Sequence, residues 1–268
     1  MLNEITLKLP ASSGNLGPGF DCLALAIDIW NSTNFSLGSA GIEIFGEGAG
    51  DIPTTDENLI FSSFAIPFKK IGIEPPSVKI TCHNSIPVGR GLGSSSASVI
   101  SGLLAGNEMS GRSMTYTDIL DVAHGLEGHA DNSAASLYGG LQIVVGVGSS
   151  VLASSVNVPD DLLAVVYLPH VTVTTGESRR LLTEEVSRND VVFNMSRVAL
   201  LVNSFVKDDF THLNVATEDK LHQPARQTVF PAMKNIIKAA LDAGALGAFL
   251  SGGGSGVMAL TRGREMTI

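Results

Sequence analysis

The residue types best suited to chemistry lie in one short stretch, PVGRGLGSSSAS, at residues 87–98. Gly89, Gly91 and Gly93 recur at every second position, Ser94, Ser95 and Ser96 follow, and an apolar pattern of helical spacing begins at once. A helix N-terminus carries unsatisfied N–H groups and roughly half a unit of positive charge. Glycines in front of it let the backbone approach a ligand that side chains would hold off. Together these make an anion site, and serine hydroxyls add donors or oxygen ligands for Mg²⁺. A glycine-rich turn with serine caps has the same composition, so the stretch alone leaves both readings open. It is not a Walker A loop, because no lysine lies between Gly89 and Ser98. It is not a GxGxxG fingerprint either, because a serine stands where the third glycine belongs.

Such a loop needs elements to hold it. Alternating or continuous apolar runs predict strands at residues 5–9, 22–30, 42–46, 77–82, 141–147 and 161–169. Helical spacing with start and stop signals predicts helices at 56–72, where Pro67 introduces a kink, and at 115–128, 191–206 and 230–244. The helix after the serines presents Ala97, Ile100, Leu103, Leu104 and Asn107 on one face. Residues 11–21, after a strand that ends at Pro10, read as a turn-rich loop, and residues 245–260 as strand, glycine turn, strand. Strands and helices interleave without βαβ regularity, which makes the class α+β. The Gly- and Ser-rich stretch at 145–161 is the expected boundary, dividing the chain into 1–155 and 156–268.

The bulk properties narrow the function. The chain has 268 residues, close to the size of about 250–300 at which single cores divide, so one large domain or two intimate ones fit. A net charge of −9 argues against a general polyanion-binding surface and therefore against nucleic acid. Cys22 and Cys82 are far apart with no CxxC, which suits a reducing compartment and gives no zinc site. The opening MLNEITLKLPAS lacks a basic segment followed by an apolar one, and no apolar run reaches the ~20 residues of a membrane span. A cytoplasmic location is expected.

PVGRGLGSSSAS closely resembles the PxxxGLGSSAA signature of the GHMP kinases. LPASSGNLGPGFDCLALAI at 9–27 is similar to the first motif of that superfamily in its homoserine kinase form. EGHADNSAASLYGG at 127–140 resembles EGHPDNVAPALxGG, LHQPAR at 221–226 resembles LHQPYR, and GAFLSGGGSGVMAL at 247–260 resembles the third motif, usually SGxGPT. The resemblance spans nearly the whole chain. It implies a two-domain fold, with an N-terminal domain like the second domain of ribosomal protein S5 and a ferredoxin-like C-terminal domain. It also implies transfer of a phosphoryl group from ATP to the side-chain hydroxyl of L-homoserine, a step toward threonine. The alternatives are another small alcohol of mevalonate or shikimate type, or a sensor that binds nucleotide and amino acid without turnover.

The resemblance implies roles residue by residue. Pro87, Val88, Gly89, Arg90, Gly91, Leu92, Gly93, Ser94, Ser95, Ser96 and Ala97 match the ATP phosphate loop, and Asn58 lies where the family approaches adenine or simply caps a helix. Ser95 and Glu127 would hold Mg²⁺. Asn15, Asp21, His129, Arg179 and Arg226 would bind the substrate, Asp21 pairing with its ammonium and the arginines gripping its carboxylate in the planar, bidentate manner of a guanidinium. Asn132 would orient the acceptor hydroxyl, with Asp131 as the rival base. His222 and Gln223 either frame this site or cap local backbone.

The sequence departs from the family pattern in places. Ser12 stands where mevalonate kinase-like members carry a lysine, and Thr183 where the family has proline. Ser255 and Gly256 replace Pro-Thr in the third motif, which predicts a looser turn. The family normally continues about one helix and one strand beyond the position of Leu260. The resemblance therefore implies a C-terminal half that is finished differently, for instance across a homodimer, or that is short.

Overall fold

A computed structural model describes residues 2–171 and 175–263. The chain opens with a long antiparallel hairpin, β1 (Glu4–Asn15) and β2 (Gly19–Leu37). β3 (Gly41–Gly46), α1 (Leu59–Lys70) and β4 (Val78–Asn84) follow, and then α2 (Ser94–Ser110), α3 (Tyr116–Glu127) and α4 (Asp131–Tyr138). β5 (Leu141–Val147) and β6 (Ser150–Val156) complete a six-stranded sheet. β1 lies along one edge of β2, while β5 and β4 share the other, at Leu23–Leu25 and Ser32–Leu37 respectively. β3 joins β4 in parallel; every other pairing is antiparallel.

The second half contains β7 (Leu162–Tyr167), α5 (Thr175–Arg180), α6 (Arg188–Lys207), α7 (Leu213–Ala216), α8 (Gln223–Arg226), α9 (Met233–Asp242), β8 (Gly247–Leu250) and β9 (Val257–Arg262). Its three strands form a separate antiparallel sheet in the order β7-β9-β8. One apolar core joins the two halves: Leu9, Leu23 and Leu103 belong to the same buried cluster as Leu201, Phe205, Phe249 and Met258. Burying a side chain of this size contributes about 1.5–3 kcal/mol, so this shared cluster ties the halves together, while smaller buried clusters lie within each half, around Phe35 and Phe64 in the first and Phe230 and Met233 in the second.

α2 is the central helix. Ala97, Ile100 and Leu103 enter the core and Leu104 packs against it. The buried Asn107 ties down the following loop, donating to Met114 O at 2.9 Å and accepting from Met114 N at 2.9 Å. On its opposite side Gly102 and Gly106, one turn apart, lie against α1. A Cβ at either would collide with a carbonyl oxygen of α1, that of Ile60 or Phe64. Small residues four apart let two backbones pack at close range, which side chains elsewhere prevent.

Several elements differ from the expectation. β1 does not end at Pro10 but runs to Asn15, because a register shift between Pro10 and Ala11 accommodates the residue that lacks an N–H. Much of the expected 11–21 loop is thus strand. The expected boundary at 145–161 contains β6, a strand whose alternation is masked by serines. α4 has no signal in the sequence, because six of its eight residues are small or polar and leave no apolar period. α3 begins with a reciprocal cap in which Thr115 Oγ1 accepts from Asp118 N at 3.1 Å and Asp118 accepts from Thr115 N at 2.8 Å. Among the described residues no helix is long and apolar enough to cross a membrane. The question of how the chain ends falls on residues 264–268, outside the described residues.

Candidate active site

A cleft of about 470 Å³ runs along the N-terminus of α2, and nearly all the predicted site residues line it. The loop before α2 is made of left-handed backbone at alternate residues: Gly89, Gly91 and Gly93 have φ of 67°, 71° and 68°. Gly93 is also the N-cap of α2 and bonds through its own carbonyl to Ala97 N at 2.9 Å. Conformation alone favours glycine here, and crowding excludes anything else at two positions. A Cβ on Gly91 would collide with Ser251 O, and one on Gly93 with Ser12 Oγ. The loop is thus held between β1 and the β8–β9 turn.

That turn is the junction of three distant segments. Gly252 N donates to Gly14 O at 3.1 Å, and Asn15 Nδ2 donates to Gly252 O at 2.9 Å. Gly256 N donates to Arg90 O at 3.1 Å, and Ser251 Oγ lies 2.7 Å from Gly91 O and 2.8 Å from Ser13 Oγ. Ser255 Oγ also bonds Val171 O. Ser255 and Gly256 were expected to loosen the turn; cross-bonding to both neighbouring segments holds it instead.

At the helix mouth Ser95 Oγ donates to Glu127 Oε1 at 2.9 Å, and Ser133 Oγ donates to Glu127 Oε2 at 2.6 Å. A hydroxyl and a carboxylate that converge beside a helix N-terminus are hard oxygen donors, which fits Mg²⁺. Among the described residues there is no group of three or more His, Cys, Asp or Glu side chains that could hold a metal by itself. This suits an ion whose remaining ligands come from phosphates and water.

Asp131 and Asn132 open α4 and press against Gly14, where a Cβ would meet Asp131 Oδ2 at 2.6 Å and Asn132 Nδ2 at 2.8 Å. Asn132 Oδ1 accepts from Ser12 Oγ at 3.0 Å, which fixes the amide and leaves its nitrogen as the group able to meet a hydroxyl. His129 Nδ1 donates to Asp131 Oδ1 at 3.1 Å. Burial by itself would lower the His129 pKa, but the bond to Asp131 and the charges of Asp131 and Glu127 outweigh it and raise the value.

Charged groups gather at the far end. Arg179 grips Asp21 with two bonds, Nη1 to Oδ2 at 2.9 Å and Nη2 to Oδ1 at 2.6 Å, and this pairing raises the arginine's pKa. Arg226 is 3% exposed; its Nη1 donates to His222 Nδ1 at 2.7 Å and to Gly252 O at 3.0 Å, while its Nε has no partner. Burial, then repulsion from Arg179, pushes its pKa down to about 10. Because arginine only donates, His222 Nδ1 must accept, and its proton therefore sits on Nε2, which donates to Gly17 O at 2.6 Å. Burial holds His222 down at about 4.

Three residues missing from the sequence prediction organise this end. Phe20 lies beside both arginines, its ring centre 5.4 Å from the Arg179 guanidinium and 5.5 Å from that of Arg226. Ser12 sets the Asn132 amide, as above. Asp219 accepts from the backbone N–H groups of Leu221, His222 and Gln223 at 2.9, 3.0 and 2.7 Å, and from Asn194 Nδ2 at 2.6 Å. An aspartate just before HQP is a helix-start signal that could have revealed it. Gln223 proves to be a backbone clamp, accepting from Leu250 N at 2.8 Å.

Three predicted ligand-facing residues behave otherwise. The Arg90 guanidinium is absent from the cleft lining and bonds Pro169 O, as well as Val171 O at 3.0 Å. Ala97 points its methyl into the core, because it occupies the inward face of α2. Asn58 lines the cleft, but both ends of its amide are engaged: Oδ1 accepts from Ile60 N at 2.9 Å as the N-cap of α1, and Nδ2 donates to Pro53 O at 2.6 Å. Its capping alternative is the one the geometry favours.

Comparison with known proteins now decides the family. Residues 58–140 match the GHMP kinases N terminal domain and residues 208–265 the GHMP kinases C terminal region. A homoserine kinase of Caldanaerobacter subterraneus subsp. tengcongensis is 41% identical over 259 residues, covering 96% of this chain and 83% of that protein. The chain belongs to the GHMP kinases. A second relative, a homoserine kinase of Desulfitobacterium hafniense, is 37% identical over 257 residues, with 96% and 86% covered. The solved structure of homoserine kinase from Cytophaga hutchinsonii superposes with a TM-score of 0.87 at 31% identity, covering 99% of this chain and 87% of that one. As a GHMP kinase, this protein takes ATP as a substrate and phosphorylates a small molecule. The glycine-serine loop, the Glu127 segment and the β8–β9 turn are therefore parts of one kinase cleft.

Proposed function

We propose that this protein is a homoserine kinase, which phosphorylates the side-chain hydroxyl of L-homoserine to give O-phospho-L-homoserine and ADP. The observation that carries the reading is the gathering, in one cleft, of an anion-binding loop at one end and paired carboxylate and guanidinium groups at the other. The 41% and 37% identical relatives bear the same name. A division of the chain into 1–155 and 156–268 belongs to this reading, supported by the change of sheet between Val156 and Leu162.

In this mechanism the amides of the Gly89–Gly93 loop and the first turn of α2 hold the ATP phosphates. Ser95 and Glu127 hold Mg²⁺, which when bound neutralises charge on those phosphates. Arg226 and Arg179 receive the substrate carboxylate, and Asp21 its ammonium. Asn132 directs the hydroxyl oxygen toward the γ-phosphorus; as that bond forms, the bond from the γ-phosphorus to the bridging oxygen breaks and ADP departs. Phosphoryl transfer through a loose transition state depends mainly on position and charge, so a strong base is not required. The hydroxyl proton leaves last, to an oxygen of the transferred phosphoryl group and from there to water, with Asp131, held by its bond from His129, as the alternative acceptor.

The test is ADP release with Mg-ATP and a panel of L-homoserine, mevalonate, shikimate and galactose. Turnover confined to homoserine is the expected result. Release with another alcohol only, or binding of nucleotide and homoserine without release, overturns the reading.

A further inference from the structure

The groups expected to hold the two charges of an amino acid already hold each other. Asp21 and Arg179 face one another in a two-bond fork, each side chain one-third exposed and both lining the cleft beside Asn132 and Arg226. A carboxylate and a guanidinium so paired are the mirror of an α-amino acid's ammonium and carboxylate. Arg179 and Arg226 face Asp21 and Asp131 here, and a zwitterion brings one charge of each sign. Among the described residues Asp21 pairs with no other cation, whereas Arg226 retains an unpartnered Nε.

We propose that the Asp21–Arg179 ion pair is the resting occupant of the acceptor subsite and is exchanged for an acceptor that carries ammonium and carboxylate together, which makes it the specificity filter of the site. An acid without an ammonium must take Arg179 from Asp21, leaving that carboxylate unpaired near Asp131. An amine without a carboxylate must take Asp21 from Arg179, leaving two mutually repelling guanidinium groups beside the Phe20 ring. Only a zwitterion replaces both halves of the pair. Neither charge on the acceptor is therefore sufficient, and their contributions are strongly non-additive. The inference rests on the amino-acid reading of the acceptor and goes beyond it, since simple complementarity would treat the two charges independently.

The two half-ligands are 4-hydroxybutanoate, which lacks the ammonium, and 3-aminopropan-1-ol, which lacks the carboxylate. Their dissociation constants are measured by calorimetry on the wild type, Asp21→Asn and Arg179→Gln. Asparagine tolerates the left-handed φ of 56° at position 21, so this variant keeps the backbone. Exchange predicts that Asp21→Asn binds 4-hydroxybutanoate about five- to tenfold more tightly than the wild type, the worth of a half-exposed ion pair no longer broken. Arg179→Gln in turn binds 3-aminopropan-1-ol more tightly, while the homoserine KM rises in both. Unchanged or weaker half-ligand binding in both variants overturns the proposal, and the mirror variant gives a reading if one of them fails to fold. Absence of ADP release by the wild type with homoserine would sink the functional reading instead, and the half-ligand constants would still report on the exchange.

Discussion

At the phosphate end of the cleft the surface offered to a ligand is backbone: amides of Gly89 to Gly93, a helix N-terminus and serine hydroxyls, all within one short run of sequence. At the acceptor end it is charge carried on side chains from distant segments, with Asp21 bonded to Arg179, Asp131 to His129 and Arg226 to His222. The first end is stiff because its conformation is local and crowded by Ser12 and Ser251. The second holds charge already paired, which a ligand must rearrange. Backbone sites gain their field from geometry that a sequence writes contiguously, whereas side-chain sites need the whole fold to bring their members together.

The contrast can be broken most severely at Gly91. Gly91→Ala forces a left-handed alanine into Ser251 O, and should destabilise the fold by about 3 kcal/mol or more, read by urea denaturation. Stability within about 1 kcal/mol of the wild type would show that the loop is not stiff. Glu127→Gln leaves the hydrogen bond from Ser95 possible but removes the charge. It should lower kcat on the order of 100-fold and raise the Mg²⁺ concentration needed for half-maximal rate.

Arg226→Ala sharpens the difference between the ends, since it should raise the homoserine KM roughly 30-fold and leave that for ATP nearly unchanged. Equal losses for both substrates would move Arg226 away from the acceptor. A last test is in pH. His222 is neutral in the fold with a pKa of about 4, below its ordinary 6.5, so between these values the unfolded chain binds the extra proton. Stability from this group is complete above pH 6.5 and is lost as pH falls toward 4, by at most about 1.4 kcal/mol per unit. In His222→Gln that part of the slope should vanish; an unchanged slope would assign the acid sensitivity elsewhere.

The same contrast explains what the sequence disclosed. The loop at 87–98, the helix behind it and the strand pair at its end were legible because periodicity and glycine spacing are local signals. α4 and β6 were hidden by small and polar residues whose places are set by neighbours and not by their own pattern. Arg90 and Asn58 matched a motif, but their side chains are spent on Pro169, Val171, Ile60 and Pro53, partners that no spacing rule identifies. Ser12 was noticed only for the lysine it replaces, yet it orients Asn132 from 120 residues away. Phe20 and Asp219 act through groups remote in the chain, and so remained unread.

The turn between β8 and β9 has a consequence for how the molecule comes apart. Its amides at Gly252 and Gly256 donate to carbonyls of Gly14 and Arg90, on the other sheet and its loop. Neither proton can exchange with solvent while those partners stay in place, even if β7, β8 and β9 separate among themselves. Hydrogen exchange at both glycines should therefore follow the opening of the whole molecule, reporting a single cooperative unit where two sheets might suggest two.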